Sequence, residues 1–204
     1  MPLRPVDAAS LIVLDGKPDD PVALMGRRSM RHAFMPSVYV FPGGKVDRAD
    51  GAPGPMLLPQ ADERRMSKGL GARATERRVR AITRAALRET EEETGYTLAN
   101  ERPQTPLRYV ARAITPPGRT RRFDARFLAC RREVLQAGSS TQTDELEDLR
   151  WVRLNALSDL PLARITRVII EEVVDRLRHD PDLSGEHPVP HHRMQNRAFV
   201  RLLD

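Results

Sequence analysis

The sequence predicts one mixed α/β domain on three observations: short apolar runs of strand length, two longer segments with helical periodicity, and a size suited to a single core. The chain has 204 residues, 40% hydrophobic and 30% charged, enough for one filled interior and too few for two large domains. The strand candidates are "SLIVL", "VALMG", "SVYVF", "LRYVARAIT", "RRFDARFLAC" and "LRWVRL", separated by Pro, Gly and Asp turn residues. One helix is expected from Thr75, an N-cap, to Gly95, a left-handed C-cap. The other is "ARITRVIIEEVVDRLRH", where Ile165, Val168, Ile169, Val173 and Leu177 recur at helical spacing. Residues 51–74 open on Gly and Pro, turn polar with a short helical tendency, and read as an insertion or flap within a domain expected over residues 1–180. Residues 181–204 read as a C-terminal tail that begins as a loop. It ends in an apolar patch of Phe199, Val200, Leu202 and Leu203, suited to docking on the core or on a second copy as a homodimer.

Charge and composition narrow the function classes. There are 34 Lys and Arg against 28 Asp and Glu, and the only lysines are Lys17, Lys45 and Lys68, so the basic balance comes from arginine. The excess is spread along the chain and aromatics make up only 4%, which argues against a nucleic-acid binder with concentrated cations and stacking platforms. Cys130 is the only cysteine, so no disulfide forms within the chain, and a small buried apolar role is expected for it. The N-terminal apolar run is broken by Asp15, too short for a membrane span and without a cleavage pattern after it. A cytoplasmic location and no membrane partner are expected.

The stretch "LRETEEETGY", residues 87–96, places four glutamates in five positions. At about 100° per residue, Ile82, Ala86, Glu89 and Glu93 fall on one helical face. A stripe that begins apolar therefore ends in two carboxylates, with Glu92 on its flank and Glu91 on the opposite, solvated side. Like charges at i,i+4 cost about 0.2–0.5 kcal/mol, and acids in a last turn oppose the helix dipole. If Glu89 and Glu93 enter a cleft, desolvation exceeds both penalties and a divalent cation is the natural counter-charge. Taken alone, the acidic run reads first as a solvated face. Upstream, "VFPGGKVDRAD" ends a strand in Pro42-Gly43-Gly44, where missing Cβ atoms permit a close backbone approach.

Together Gly44, Asp50 and "RETEEETGY" resemble the Nudix box, G-x5-E-x7-R-E-U-x-E-E-x-G-U with U aliphatic, matching at Gly44, Arg88, Glu89, Glu92, Glu93 and Gly95. Asp50 stands for a glutamate, Thr90 and Tyr96 stand for aliphatics, and 37 residues instead of seven separate Asp50 from Arg88. The extra length falls in a loop, where it is tolerated. The resemblance implies an α/β/α sandwich with a mixed central sheet and a hydrolase of small nucleotide diphosphates. It implies Mg²⁺ or Mn²⁺ held by Glu89, Glu92 and Glu93 with a backbone contribution from Gly43. Arg88 would orient the glutamates, with Asp50 as its partner. Catalytic roles then fall to Glu92, Glu93, Arg88 and a general base. Some members place that base six residues before a tryptophan, as Glu145 lies before Trp151; an exposed acid beside Asp144, Glu147 and Asp148 is the equal alternative for Glu145.

The blocks "GRRSMRHAFMPSVYVFPGG" and "ITPPGRTRRFDARFLAC" resemble the subgroup containing coenzyme A diphosphatases, which also carry an insertion in the box. Leu24, Arg28, Ser29, Phe41, Pro42, Gly43 and Gly44 fit its signature, while Ala33 and Ser37 do not, leaving Arg31 as a substitute phosphate contact. Arg28, Arg31, Gly44, Arg119, Arg121 and Arg122 are the substrate-binding candidates, although the last three read first as a solvated basic loop. Coenzyme A or acyl-coenzyme A is the first substrate expected, with ADP-ribose or NADH cleavage, or a silent ligand sensor, as alternatives. An RNA-end hydrolase lacks an aromatic platform. His187, His191 and His192 sit in a polar, Pro-rich segment without helical i,i+4 spacing and are not read as a metal site.

Overall fold

The computed structural model describes residues 3–29, 37–100, 102, 104–138, 145–195 and 198–203. The run "SLIVL" forms the middle of β1 (Val6–Lys17). Its residues do not alternate between apolar and polar because both faces are covered: Leu11 and Val13 enter one core layer, Ile12 and Leu14 the other. β2 (Asp20–Arg28), β3 (Tyr39–Val40) and β4 (Gly43–Lys45) follow. α1 (Gln60–Leu70) precedes α2 (Glu76–Thr94), the glutamate-bearing helix. After α2 come β5 (Tyr96–Leu98), β6 (Arg108–Ile114), β7 (Phe123–Arg131), β8 (Leu135–Ala137) and β9 (Leu146–Arg153). α3 (Arg164–His179), β10 (Pro190–Gln195) and β11 (Ala198–Leu203) complete the order.

The main sheet runs β11-β10-β6-β7-β1-β2-β3, with β4 on β1 and β9 on β2. β1 is parallel to β7 and β6 to β10, and the remaining pairs are antiparallel. Ile82, Ala85 and Ala86 of α2 pack on one face, and Ile169, Val173 and Leu177 of α3 on the other. The result is the expected α/β/α sandwich with a mixed central sheet. β1 pairs with β2 at residues 14–17 but with β4 at residues 8–10, so β2 diverges from β1 and opens a cleft lined by the Gly43-Gly44 segment. Among the described residues, no helix is long and apolar enough to cross a membrane.

α2 is bounded as its sequence dictates. Thr75 Oγ1 accepts a hydrogen bond from the Arg78 N–H at 3.1 Å, and Gly95 closes the helix at φ 74°, its N–H donating to Glu91 O.

Two segments differ from expectation. Residues 51–74 are not a surface flap: Leu57, Leu58, Met66 and Leu70 are buried in the core layer beneath α2. α1 also inserts buried Asp62, whose Oδ2 accepts the Tyr109 N–H at 3.0 Å. From the opposite side, the Arg176 guanidinium of α3 donates to Tyr109 O at 3.1 Å. β10 pairs with β6 only at Arg112 and Ala113, so these two side chains supply the Tyr109 backbone with partners a neighbouring strand would otherwise provide. The second difference is the segment read as a tail. Residues 190–195 and 198–203 form β10 and β11, which extend the sheet beyond β6. His191 and His192 are buried there, with His192 Nε2 3.0 Å from Glu172 Oε1 on α3. A polar strand hides from pattern reading when its side chains are satisfied by a helix rather than by water.

Candidate active site

The last two turns of α2 carry the apolar stripe of Ile82 and Ala86 onward into Glu89 and Glu93, and both carboxylates turn inward. Glu93 is 4% exposed, and its Oε2 accepts the Gly43 N–H at 2.9 Å. Glu89 lies against Gly44, where a Cβ would overlap its carboxylate. A side chain at position 44 would displace that carboxylate. Glu145, immediately before β9, brings a third carboxylate from the far side of the cleft, its backbone held where Glu145 O accepts the Ser29 N–H at 3.2 Å. One oxygen each from Glu89, Glu93 and Glu145 falls within 4.8 Å of the others.

That crowding sets the electrostatics. Burial pushes the Glu93 carboxyl up to about 8, against the Gly43 N–H and Arg28, while Glu89 and Glu145 push it further. Burial also raises Glu89, with Arg88 opposing and Glu92 and Glu145 adding to the rise. Arg88 is the local counter-charge. Its Nε and Nη2 hold Asp50 in a two-pronged pair at 3.0 and 3.1 Å, its Nη1 reaches Glu89 at 2.9 Å and Glu92 at 3.0 Å, and Nη2 also donates to Lys45 O at 3.0 Å. The hydrogen bond with Asp50 leads in raising the Arg88 pKa above its ordinary value. A short 3₁₀ turn at Ala49–Gly51 buries Asp50 and presents it to α2, so the shorter side chain still reaches.

The structure brings together Glu89, Glu93 and Glu145, with Gly43, Gly44, Arg28 and Arg88 around them. It does not bring Glu92 into that convergence: its side chain is 52% exposed and faces Arg88. Arg122 donates to Thr115 O at 3.0 Å and to Leu3 O, closing its own loop, while Arg119 and Arg121 are exposed on it. Arg31 lies outside the described residues. Sequence reasoning missed a buried ionic layer. Arg112 holds Asp124 at 2.8 and 2.9 Å, and Arg126 joins Asp124 to Asp7 at 3.0 and 2.7 Å. Arg78 of α2 also bonds Asp7. Burial works against the Asp124 charge, but Arg112 and Arg126 outweigh it and hold the carboxyl below its usual range. The signal was present in "RFDAR": Asp124 and Arg126 are the buried members of that alternation.

Three carboxylates from two elements, crowded at a glycine wall, are a donor set of hard oxygens. They fit an ion such as Mg²⁺ or Mn²⁺, which Glu89 and Glu93 would hold from α2 with Glu145 facing them.

Residues 76–173 match the family model described as NUDIX domain. Over that span the chain is similar to a Nudix domain. The match begins at the first residue of α2, so Gly44 and Asp50 lie outside it. A NUDIX hydrolase from Alicyclobacillus acidocaldarius is similar at 23% identity and TM-score 0.64, covering 89% of this chain and 96% of that one. A MutT NUDIX hydrolase from Burkholderia pseudomallei aligns at 21% identity and TM-score 0.54, covering 84% and 99%. The NUDIX domain of Shewanella oneidensis NrtR, solved with ADP ribose, aligns at 15% identity and TM-score 0.55, covering 86% and 90%. At these identities the likeness is one of fold. No curated protein matches the chain significantly. The domain match supports a pyrophosphohydrolase.

Proposed function

We propose that this protein cleaves the pyrophosphate bond of a nucleoside diphosphate linked to another moiety, using Mg²⁺ or Mn²⁺. The observation that carries the reading is the convergence of Glu89, Glu93 and Glu145 beside Gly43 and Gly44. When bound, the divalent ion screens the phosphate oxygens and polarises phosphorus. Glu89 and Glu93 anchor it from the helix, and Glu92 adds negative charge at the rim. Arg88, fixed on Asp50, orients Glu89 and Glu92. Exposed Glu145 is placed to take a proton from an attacking water, and Arg28 to bind a phosphate oxygen.

Coenzyme A or an acyl derivative is the first substrate on the signature residues Leu24, Arg28, Ser29, Phe41 and Pro42. ADP-ribose is the second, supported by the ADP ribose complex of a fold neighbour. The test is a product-resolved screen of coenzyme A, ADP-ribose, NADH and diadenosine polyphosphates with each metal. Two monophosphate products are expected from one class, and Glu93→Gln should abolish turnover while the fold persists. Four uncleaved compounds would defeat the enzymatic reading, and saturable binding without cleavage would favour a ligand sensor.

A further inference from the structure

The chain has one tryptophan, and it faces solvent on the side of the sheet that carries the carboxylates. Trp151 of β9 lies directly opposite Leu24 of β2, and cross-strand partners project to the same face. Leu24 belongs to the core layer beneath α2, so Trp151 is on the α2 side, yet it remains 37% exposed. Along β2, Gly26 and Arg28 follow Leu24 on that face at the strand period of two. Arg28 lies near enough to Glu93 to favour its ionised form. Between these ends, Leu146 and Leu149 occupy the space that a side chain at position 26 would need. The face therefore runs from guanidinium and carboxylates, across two leucines, to an indole. Leu24 and Arg28 are four residues apart, about 13 Å along a strand, which is comparable with the reach of one nucleotide from phosphates to base.

We propose that Trp151 is the stacking platform for the nucleobase of the substrate, with the phosphates directed toward Arg28 and the Glu89–Glu93–Glu145 cluster. The inference rests on the pyrophosphohydrolase reading of that cluster and adds how the nucleoside half is gripped. An indole presents a large flat apolar surface to a base, and stacking accepts any base because each has a π-face. The platform thus selects for a nucleoside over a bare diphosphate and discriminates weakly among bases.

A lone tryptophan makes intrinsic fluorescence a direct reporter of this contact. ADP titrated into the wild-type protein with Mg²⁺ is expected to quench the emission saturably, whereas inorganic pyrophosphate at equal occupancy leaves it nearly unchanged. Trp151→Ala should raise KM for the cleaved substrate about tenfold with kcat within about twofold, in keeping with base-stacking contributions, and Trp151→Phe should recover most of the loss. Hydrolysis that continues with no ADP-dependent quenching, or an unchanged KM in Trp151→Ala, overturns the platform and leaves the hydrolase reading standing. Quenching by ADP without cleavage of any substrate does the reverse.

Discussion

Replacing Glu93 by glutamine should make the metal-free protein more stable at alkaline pH while changing its stability near pH 5 much less. Burial holds the Glu93 proton until about 8, against an ordinary 4.5. Between those values the folded state binds more protons than the unfolded state, so stability falls as pH rises through that window. Below it both states are protonated and the penalty vanishes; above it the penalty is complete. The gap caps the effect at about 5 kcal/mol, and water entering beside exposed Glu145 reduces the expected size to about 2 kcal/mol. Urea denaturation in chelator at pH 5 and pH 8.5 measures it directly. The wild type should lose about 2 kcal/mol more than Glu93→Gln between the two conditions. Parallel losses would refute the argument that crowding and burial, rather than solvated side chains, define this end of α2. Added Mg²⁺ should raise the wild-type midpoint at pH 8.5 and move that of the variant far less.

Arg88→Lys keeps the charge but loses the planar fork, leaving buried Asp50 poorly partnered, so a loss of about 2–3 kcal/mol is expected in urea denaturation; a change under 0.5 kcal/mol would show that the pair contributes little. Gly44→Ala places a Cβ inside the Glu89 carboxylate and should weaken Mg²⁺ binding, read by isothermal calorimetry, by at least tenfold, whereas unchanged affinity would remove Glu89 from the ion site. Met66→Ala should cost about 2–5 kcal/mol, as for other buried methionines, measured by the unfolding midpoint. A flap would give almost none.

β1, β2, β3, β6, β7, β9 and both long helices were readable because their patterns are local. Thr75 and Gly95 announce the ends of α2, and apolar spacing announces α3. Glu89 and Glu93 were legible for the same reason, since helical periodicity alone puts them on the core stripe. What escaped depended on contacts distant in sequence. α1 looks polar because its burial uses few apolar side chains, Ala61, Met66 and Leu70, with Asp62 serving a backbone group rather than water. β10 and β11 lack alternation because His192 is satisfied by Glu172 of α3. Glu145 was undecidable from its acidic neighbours: only the turn back along β2, where Ser29 N–H holds its carbonyl, aims it at Glu93. Glu92 shows the opposite limit. Its place in a motif indicates a role, while its rotation about the helix axis leaves it beside Arg88.

The Arg88 guanidinium touches the turn at Asp50, the carbonyl of Lys45 and two acids of α2. The 45–50 segment and α2, which are remote from one another along the backbone, are thereby riveted at one point. Mechanical firmness and the shape offered to an incoming ion cannot be adjusted independently there: any drift at position 88 that loosens the cage also slackens the scaffold, and evolutionary change in substrate preference is left to travel along the outer strands.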